Sequence, residues 1–209
     1  MNPKDALLVG KLSDNLMLSG GAKGADCYWA QSASKAGHQV IHWSFKGHKS
    51  HDPDNTVILD DEILKEADIH LEEARLSMKR NIPYYKPWIA NLLRRNWFQV
   101  QYAQSVYAVG TLNEKAIFCN EDPQRPVGTK RTDRMGVNGG TAWALMMADD
   151  NNLKNICFFN QNENRWLSWD PIRKFWVYEP SPATPSGIWA GIGTRDLSDA
   201  GRDAIDLLF

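Results

Sequence analysis

Residues 15–43 read NLMLSGGAKGADCYWAQSASKAGHQVIHW, and this stretch decides the fold. A short apolar run from Asn15 to Leu18 ends in Ser19-Gly20-Gly21, a segment at helical spacing follows from about Ala22 to Ala36, and a second run, His38 to Trp43, closes the unit. Strand, glycine turn, helix, strand is the building block of an α/β domain with a largely parallel sheet. Glycine suits the junction because it allows positive φ and lets backbone approach closely.

The same alternation continues outward. Leu59, Ile63, Ala67, Leu71, Ala74 and Met78 fall three or four apart and predict one amphipathic helix over 59–78. A further helix is predicted from about Pro87 to Gln104, with the stripe Ile89, Leu92, Leu93, Val100 and Ala103, and it leads into a strand from Ser105 to Val109. Asn96 falls on that stripe, so an amide is aimed where the helix otherwise faces the core. Gly139 and Gly140 open a helix within 137–150, and a strand follows from Asn155 to Asn160. The chain closes with a strand from Ile188 to Ile192, a turn at Gly193-Thr194 and a helix whose stripe, Leu197, Ala200, Gly201, Ala204, Ile205, Leu208 and Phe209, runs to the last residue. Two stretches interrupt the pattern: the charged segment 110–136, read as a lid-like insertion, and a β-rich excursion in 161–186 that carries Trp166, Trp169 and Trp176. The expected architecture is a single domain over 1–209, Rossmann-like, with a mostly parallel sheet and helices on both faces.

Composition excludes several functions. The 209 residues carry 24 Lys+Arg against 25 Asp+Glu, a formal net charge of −1, which removes the broad attraction to phosphate backbone and disfavours a nucleic-acid partner. No run approaches the roughly 18 apolar residues of a membrane span, and the opening MNPKDALLVG lacks the apolar core of a signal peptide. A cytoplasmic protein with no membrane partner is expected. Cys27, Cys119 and Cys157 have neither disulfide-frame nor zinc spacing, and no metal or other cofactor is called for. His42, His48 and His51 read as a solvated loop cluster, and Trp88, Trp97 and Trp189 as core. No GxSxG elbow is present, so nucleophilic hydrolysis has no support.

Three glycine turns remain, each at a strand-to-helix junction or a helix start: Gly20-Gly21 with Lys23-Gly24, Gly139-Gly140-Thr141, and Gly193-Thr194-Arg195. In a parallel sheet such turns gather at the carboxyl edge, where helix N-termini favour anions. The segments SGGAKGAD (19–26), RRNWFQVQYAQSVYAVG (94–110), GGTAWALMMA (139–148) and AGIGTRDLSDAG (190–201) resemble the SLOG superfamily, Rossmann-like nucleotide-binding domains related to Smf/DprA and to LOG phosphoribohydrolases. In that family the GIGTR-like strand comes first, whereas here it comes last. The resemblance therefore implies a circularly permuted SLOG-like domain with its termini close together.

Position by position, the resemblance implies that Gly20, Gly21 and Gly24 form a first phosphate turn with Lys23 adding charge and Asp26 capping it or bonding ligand hydroxyls. It implies that Arg95, Asn96 and Gln99 face the pocket, that Gly139, Gly140 and Thr141 form a second cradle, and that Gly193, Thr194 and Arg195 form a third wall in which Arg195 clamps a phosphate. Trp143 replaces a small residue of the family turn and is placed to stack on a base. Met146 stands where phosphoribohydrolases carry a catalytic glutamate, so no catalytic residue is assigned. The implied function is capture or sensing of a nucleotide-derived small molecule, an ADP-ribose-type, NAD-derived or cyclic nucleotide signal, in the manner of a viral anti-defence sponge. The alternative is a nucleotide-processing enzyme of the phosphoribohydrolase or N-glycosidase type in which Asp26 or a residue of the insertion substitutes for the glutamate. A homo-oligomer is expected, with the tryptophan-rich excursion as a candidate interface.

Overall fold

Leu16, Met17 and Leu18 are wholly buried, as a central strand covered on both faces requires. They belong to β1 (Asn15–Ser19) of a computed structural model that describes residues 15–113, 115–116, 118 and 135–209. The chain continues through α1 (Ala25–Lys35), β2 (Gln39–Phe45), β3 (Thr56–Leu59), α2 (Asp61–Lys65), α3 (Asp68–Met78), α4 (Pro87–Val100) and β4 (Ser105–Gly110). It ends with α5 (Thr141–Asp150), β5 (Asn155–Asn160), β6 (Arg165–Asp170), β7 (Phe175–Tyr178), β8 (Gly187–Gly193) and α6 (Asp199–Asp206). Among the described residues the strands form one sheet in the order β3-β2-β1-β8-β4-β5-β6-β7. The first six of that order are parallel, and β6 and β7 extend the edge antiparallel. This is a Rossmann-like α/β fold, and no helix among the described residues is long and apolar enough to cross a membrane.

Side-chain alternation along the strands builds two cores. Met17, Val40, Tyr107, Val109 and Trp189 point to the face covered by α1 and α6, where they meet Trp29, Ala33, Ala204 and Ile205. Leu16, Leu18, Trp43, Val106, Ala108 and Ile192 point to the other face and pack with α3, α4 and α5. The last strand does not add at an edge: β8 lies between β1 and β4, with Met17 beside Trp189 and Ser105 beside the same residue. Phe209 packs against Trp189 at 6.0 Å, and Asn15 Oδ1 accepts from the Gly187 amide at 2.8 Å. The first described residue and the last therefore share the amino edge of the sheet.

Several expectations need correction. The helix predicted over 59–78 is two helices that divide at Glu66 and Ala67, and Asp60 caps α2 through the Ile63 amide (2.9 Å), which leaves Leu59 outside it. Leu59 instead ends β3, an edge strand in a stretch read as loop, whose Ile58 is exposed. Trp97 and Trp189 are core, but Trp88 sits in the first turn of α4 and is 48% exposed. The excursion tryptophans offer no interface: Trp166, Trp169 and Trp176 are buried, with the Trp169 indole donating to Asp149 Oδ1 (3.0 Å) and that of Trp176 to the Met135 carbonyl (2.6 Å). Most of the insertion 110–136, with Cys119, lies outside the described residues.

Candidate functional site

Strand order reverses between β1 and β4, with β8 in the gap, and at the carboxyl edge above this switch point the three glycine turns meet. A cleft of about 730 Å³ opens there, a size suited to a small-molecule ligand. Of the residues expected at a ligand site, Lys23, Asp26, Arg95, Asn96, Gln99, Gly139, Gly140, Thr141, Trp143, Gly193, Thr194 and Arg195 line it. Gly20, Gly21 and Gly24 do not line it; they stand behind its wall.

Their glycine identity has an internal cause. Gly24 has φ 99°, and a Cβ there would run into the backbone oxygens of Thr194 and Arg195. The close approach lets the Ala25 amide donate to the Thr194 carbonyl (2.9 Å), which joins the first turn to the third. A Cβ on Gly20 would strike the Arg95 guanidinium.

Arg95 is the centre of this wall. It is buried, not a surface cation; Nη1 donates to the Gly20 carbonyl (2.6 Å) and lies 3.3 Å from His48 Nε2, while Nη2 is 3.7 Å from Asp26 Oδ2. Arginine only donates, so His48 accepts at Nε2 and carries its proton on Nδ1, which donates to Ser44 Oγ at 2.8 Å. Burial, then the charge of Arg95, holds the His48 pKa down to about 4, so the ring is neutral at pH 7. Asp26 accepts from the amides of Ala22 (3.4 Å) and Gly193 (3.2 Å), bridging first and third turns. Burial pushes its carboxyl pKa up against the pull of Arg95 and those amides. Rather than waiting for ligand hydroxyls, Asp26 is engaged in holding the turns.

The histidines are likewise not a solvated cluster. His42 is fully buried on β2 beneath Gly21, and burial lowers its pKa to about 4. The following loop folds back so that the His51 amide donates to the Gly21 carbonyl (3.2 Å), leaving only the His51 ring exposed.

The floor is built differently. Asn96 Nδ2 donates to the Gly140 carbonyl (3.2 Å), and Gln99 Nε2 donates to Asn96 Oδ1 (3.1 Å). A backbone carbonyl can only accept, so Gly140 fixes the orientation of the Asn96 amide, and Asn96 fixes that of Gln99. The Gln99 carbonyl is then left over: it is buried and has no hydrogen-bond partner. An orphaned buried acceptor costs about 1–3 kcal/mol. Trp143 and Leu93 add apolar lining, whereas Met146 is buried and lines no part of the cleft.

At the rim, Lys23 and Arg195 are exposed and form no ion pair with another described residue. Neither α1 nor α5, whose N-termini border the cleft, has a side-chain cap. Trp88, His48, Ile89, Leu92 and Pro83 complete the wall and were not foreseen. Trp88 stands next to Pro87, the first residue of α4, and a tryptophan in a first helical turn, ahead of the apolar stripe, was the available signal.

No family model, curated protein or solved structure matches the chain. The chemistry of the cleft is therefore read from its own residues. Two cations with no ion-pair partner among the described residues, and the N-terminus of α5 with no side-chain cap, favour an anion at the rim. The apolar interior with a single open acceptor favours a neutral, flat group. Among the described residues no cluster of histidine, cysteine and carboxylates is placed to hold a metal.

Proposed function

We propose that this protein binds a nucleotide-derived small molecule, an ADP-ribose-type, NAD-derived or cyclic nucleotide signal, in the cleft above β1, β8 and β4. The observation that carries this reading is the pair Lys23 and Arg195, exposed, with no ion-pair partner among the described residues, on two different loops that line one crevice. Phosphate chemistry suits that pair, and the N-terminus of α5, which has no side-chain cap, adds backbone donors. The resemblance to SLOG domains supports the same conclusion. The position of β8 between β1 and β4 is in keeping with a permuted chain in which β8 and α6 take the family's first βα place.

Capture is favoured over turnover. Asp26, the carboxylate named to act in place of the glutamate outside the insertion, is tied to Ala22, Gly193 and Arg95. Asp196, the other carboxylate lining the cleft, is exposed at its rim, and with Asp26 tied up inside, the site suits sequestration of a signal, as in an anti-defence sponge.

The test is to incubate the purified protein with NAD, ADP-ribose, cyclic ADP-ribose isomers, AMP and cyclic dinucleotides, wash it, denature it and identify the released molecules by mass spectrometry. Near-stoichiometric recovery of one intact species is expected, and Lys23→Ala or Arg195→Ala should each weaken its binding roughly tenfold or more, the worth of a charge-assisted hydrogen bond. Free base or ribose phosphate accumulating with time would replace capture by catalysis. Retention of nothing in the panel would overturn the reading.

A further inference from the structure

We propose that Gln99 is the specificity-determining residue of the cleft and that it selects a ligand whose heterocyclic base carries an exocyclic amino group. The proposal rests on the nucleotide-type reading above and goes beyond it by assigning which end of the ligand enters first and what is recognised there.

Gly140 orients Asn96, Asn96 orients Gln99, and the Gln99 carbonyl is the group with nothing to accept. Gln99 is 1% exposed and lines the cleft. Bulk water does not satisfy it, so a donor carried by a ligand removes a cost that the free protein bears. Arg95 also keeps one N–H unpaired, at Nε, but its guanidinium is already fixed by Gly20, His48 and Asp26. The carbonyl of Gln99 is fixed by the relay and bonded to nothing.

The surroundings decide which donor. Trp143, Leu93, Ile192 and Ala144 line the interior near the floor side chains, and such walls accept a flat ring. A ribose would bring two vicinal hydroxyls, each with a donor and lone pairs, to a floor where Asn96 is already engaged on both sides. A base edge asks for less. Gln99 Nε2 carries two hydrogens, of which Asn96 takes one, so one amide can accept from an amino group and donate to the adjacent ring nitrogen, as glutamine does toward adenine. The anionic end then stays at the rim with Lys23 and Arg195.

The experiment compares AMP, inosine 5′-monophosphate and 2′-deoxy-AMP by titration calorimetry against the wild-type protein, Gln99→Leu and Gln99→Met. Inosine monophosphate replaces the amino donor with a carbonyl, makes N1 a donor instead of an acceptor, and leaves the ribose and phosphate alone. The wild type should prefer AMP over inosine monophosphate at least roughly tenfold, the discrimination expected of a buried amide reading a base edge. Gln99→Leu and Gln99→Met should lose that preference through weaker AMP binding, with inosine monophosphate within about threefold of its wild-type affinity. Equal binding of AMP and inosine monophosphate by the wild type overturns the proposal while leaving the capture reading intact. Equal binding of those two with a loss for 2′-deoxy-AMP overturns it in favour of ribose recognition. Binding of none of the three overturns it together with the occupancy it assumes. Two variants are used so that a misfolded one, seen by circular dichroism, does not decide the outcome.

Discussion

Two buried polar networks hang from neighbouring positions of α4 and end differently. Through Arg95 the helix reaches back to the Gly20 carbonyl, His48 and Asp26, and Asp26 reaches on to the amides of Ala22 and Gly193. Through Asn96 and Gln99 it reaches forward to Gly140 and stops at a carbonyl with no partner. The first network is closed around backbone groups of two turns, so it shapes the cleft. The second ends at a buried acceptor with no partner, in a residue that lines the cleft. A buried polar residue lining a site is thus scaffold when its bonds run to the protein's own backbone, and recognition when they run out.

The largest expected effect breaks the closed network. Arg95→Leu removes the donor to Gly20 and strips Asp26 of its buried counter-ion, a change that costs about 3–5 kcal/mol when one partner of a buried pair is lost. Urea unfolding of the variant and of wild type measures it. Adding Asp26→Asn to Arg95→Leu should recover part of the loss, because the uncompensated carboxylate is then gone. A loss below about 1 kcal/mol for Arg95→Leu would remove the scaffold role and with it the contrast.

A smaller effect comes from the histidines packed behind the same wall. His42 is held to about 4, below its ordinary 6.5, by burial and by Arg95, with Asp52 at 3.7 Å pulling the other way. Its folded pKa is depressed, so the unfolded chain binds the proton first. The neutral ring's contribution is complete above about pH 6.5 and is lost as pH falls toward 4. His48 adds in the same sense, discounted because it is half-buried. Asp150 opposes them: burial and Asp149 raise it to about 6, so its contribution is present at low pH and disappears as pH rises from about 4 to 6. Asp150 is half-exposed, and Asp26, wholly buried with its carboxyl pushed up, acts in the same sense as Asp150, so the comparison of variants isolates His42. Between pH 7 and pH 4.5 His42→Leu should lose about 2 kcal/mol less stability than wild type in the same denaturation series. A pH profile unchanged by His42→Leu would show that the wall's acid sensitivity lies elsewhere.

How much of this was legible follows from the distance along the chain over which each feature is set. The turns at 20–24, 139–141 and 193–195 and the helix starts beside them are local glycine chemistry, and they were legible. So was the inward aim of Asn96, which needs only the 3.6-residue period of α4. The partner of Arg95 lies 75 residues away at Gly20, and no periodicity places it. His42 looked like the start of a loop because Lys46, Gly47, His48 and Lys49 follow Phe45 with a polar, glycine-containing sequence, yet β2 carries its ring fully into the sheet. The end of β3, Leu59, was hidden at the start of a helical period, and the capping side chain of Asp60 was the local signal that separates the two. Trp88 was misplaced because bulk suggests burial, while its position in the first turn of α4 puts it at the open mouth.

The smallest expected effect is also the one that most directly tests the open network. Gln99→Leu deletes the orphaned carbonyl, which relieves a buried acceptor, but it also removes the donor to Asn96 Oδ1. The orphan therefore moves one residue along the relay instead of disappearing, since Asn96 remains held at Gly140. A leucine of similar length adds apolar contact beside Trp143 and Leu93, both of which line the same cleft. These changes oppose one another, so the ligand-free variant should unfold within about 1 kcal/mol of wild type, in contrast to Arg95→Leu one turn earlier. Equal and large losses for the two variants would make Gln99 part of the scaffold, and the distinction between a closed wall and an open floor would not hold.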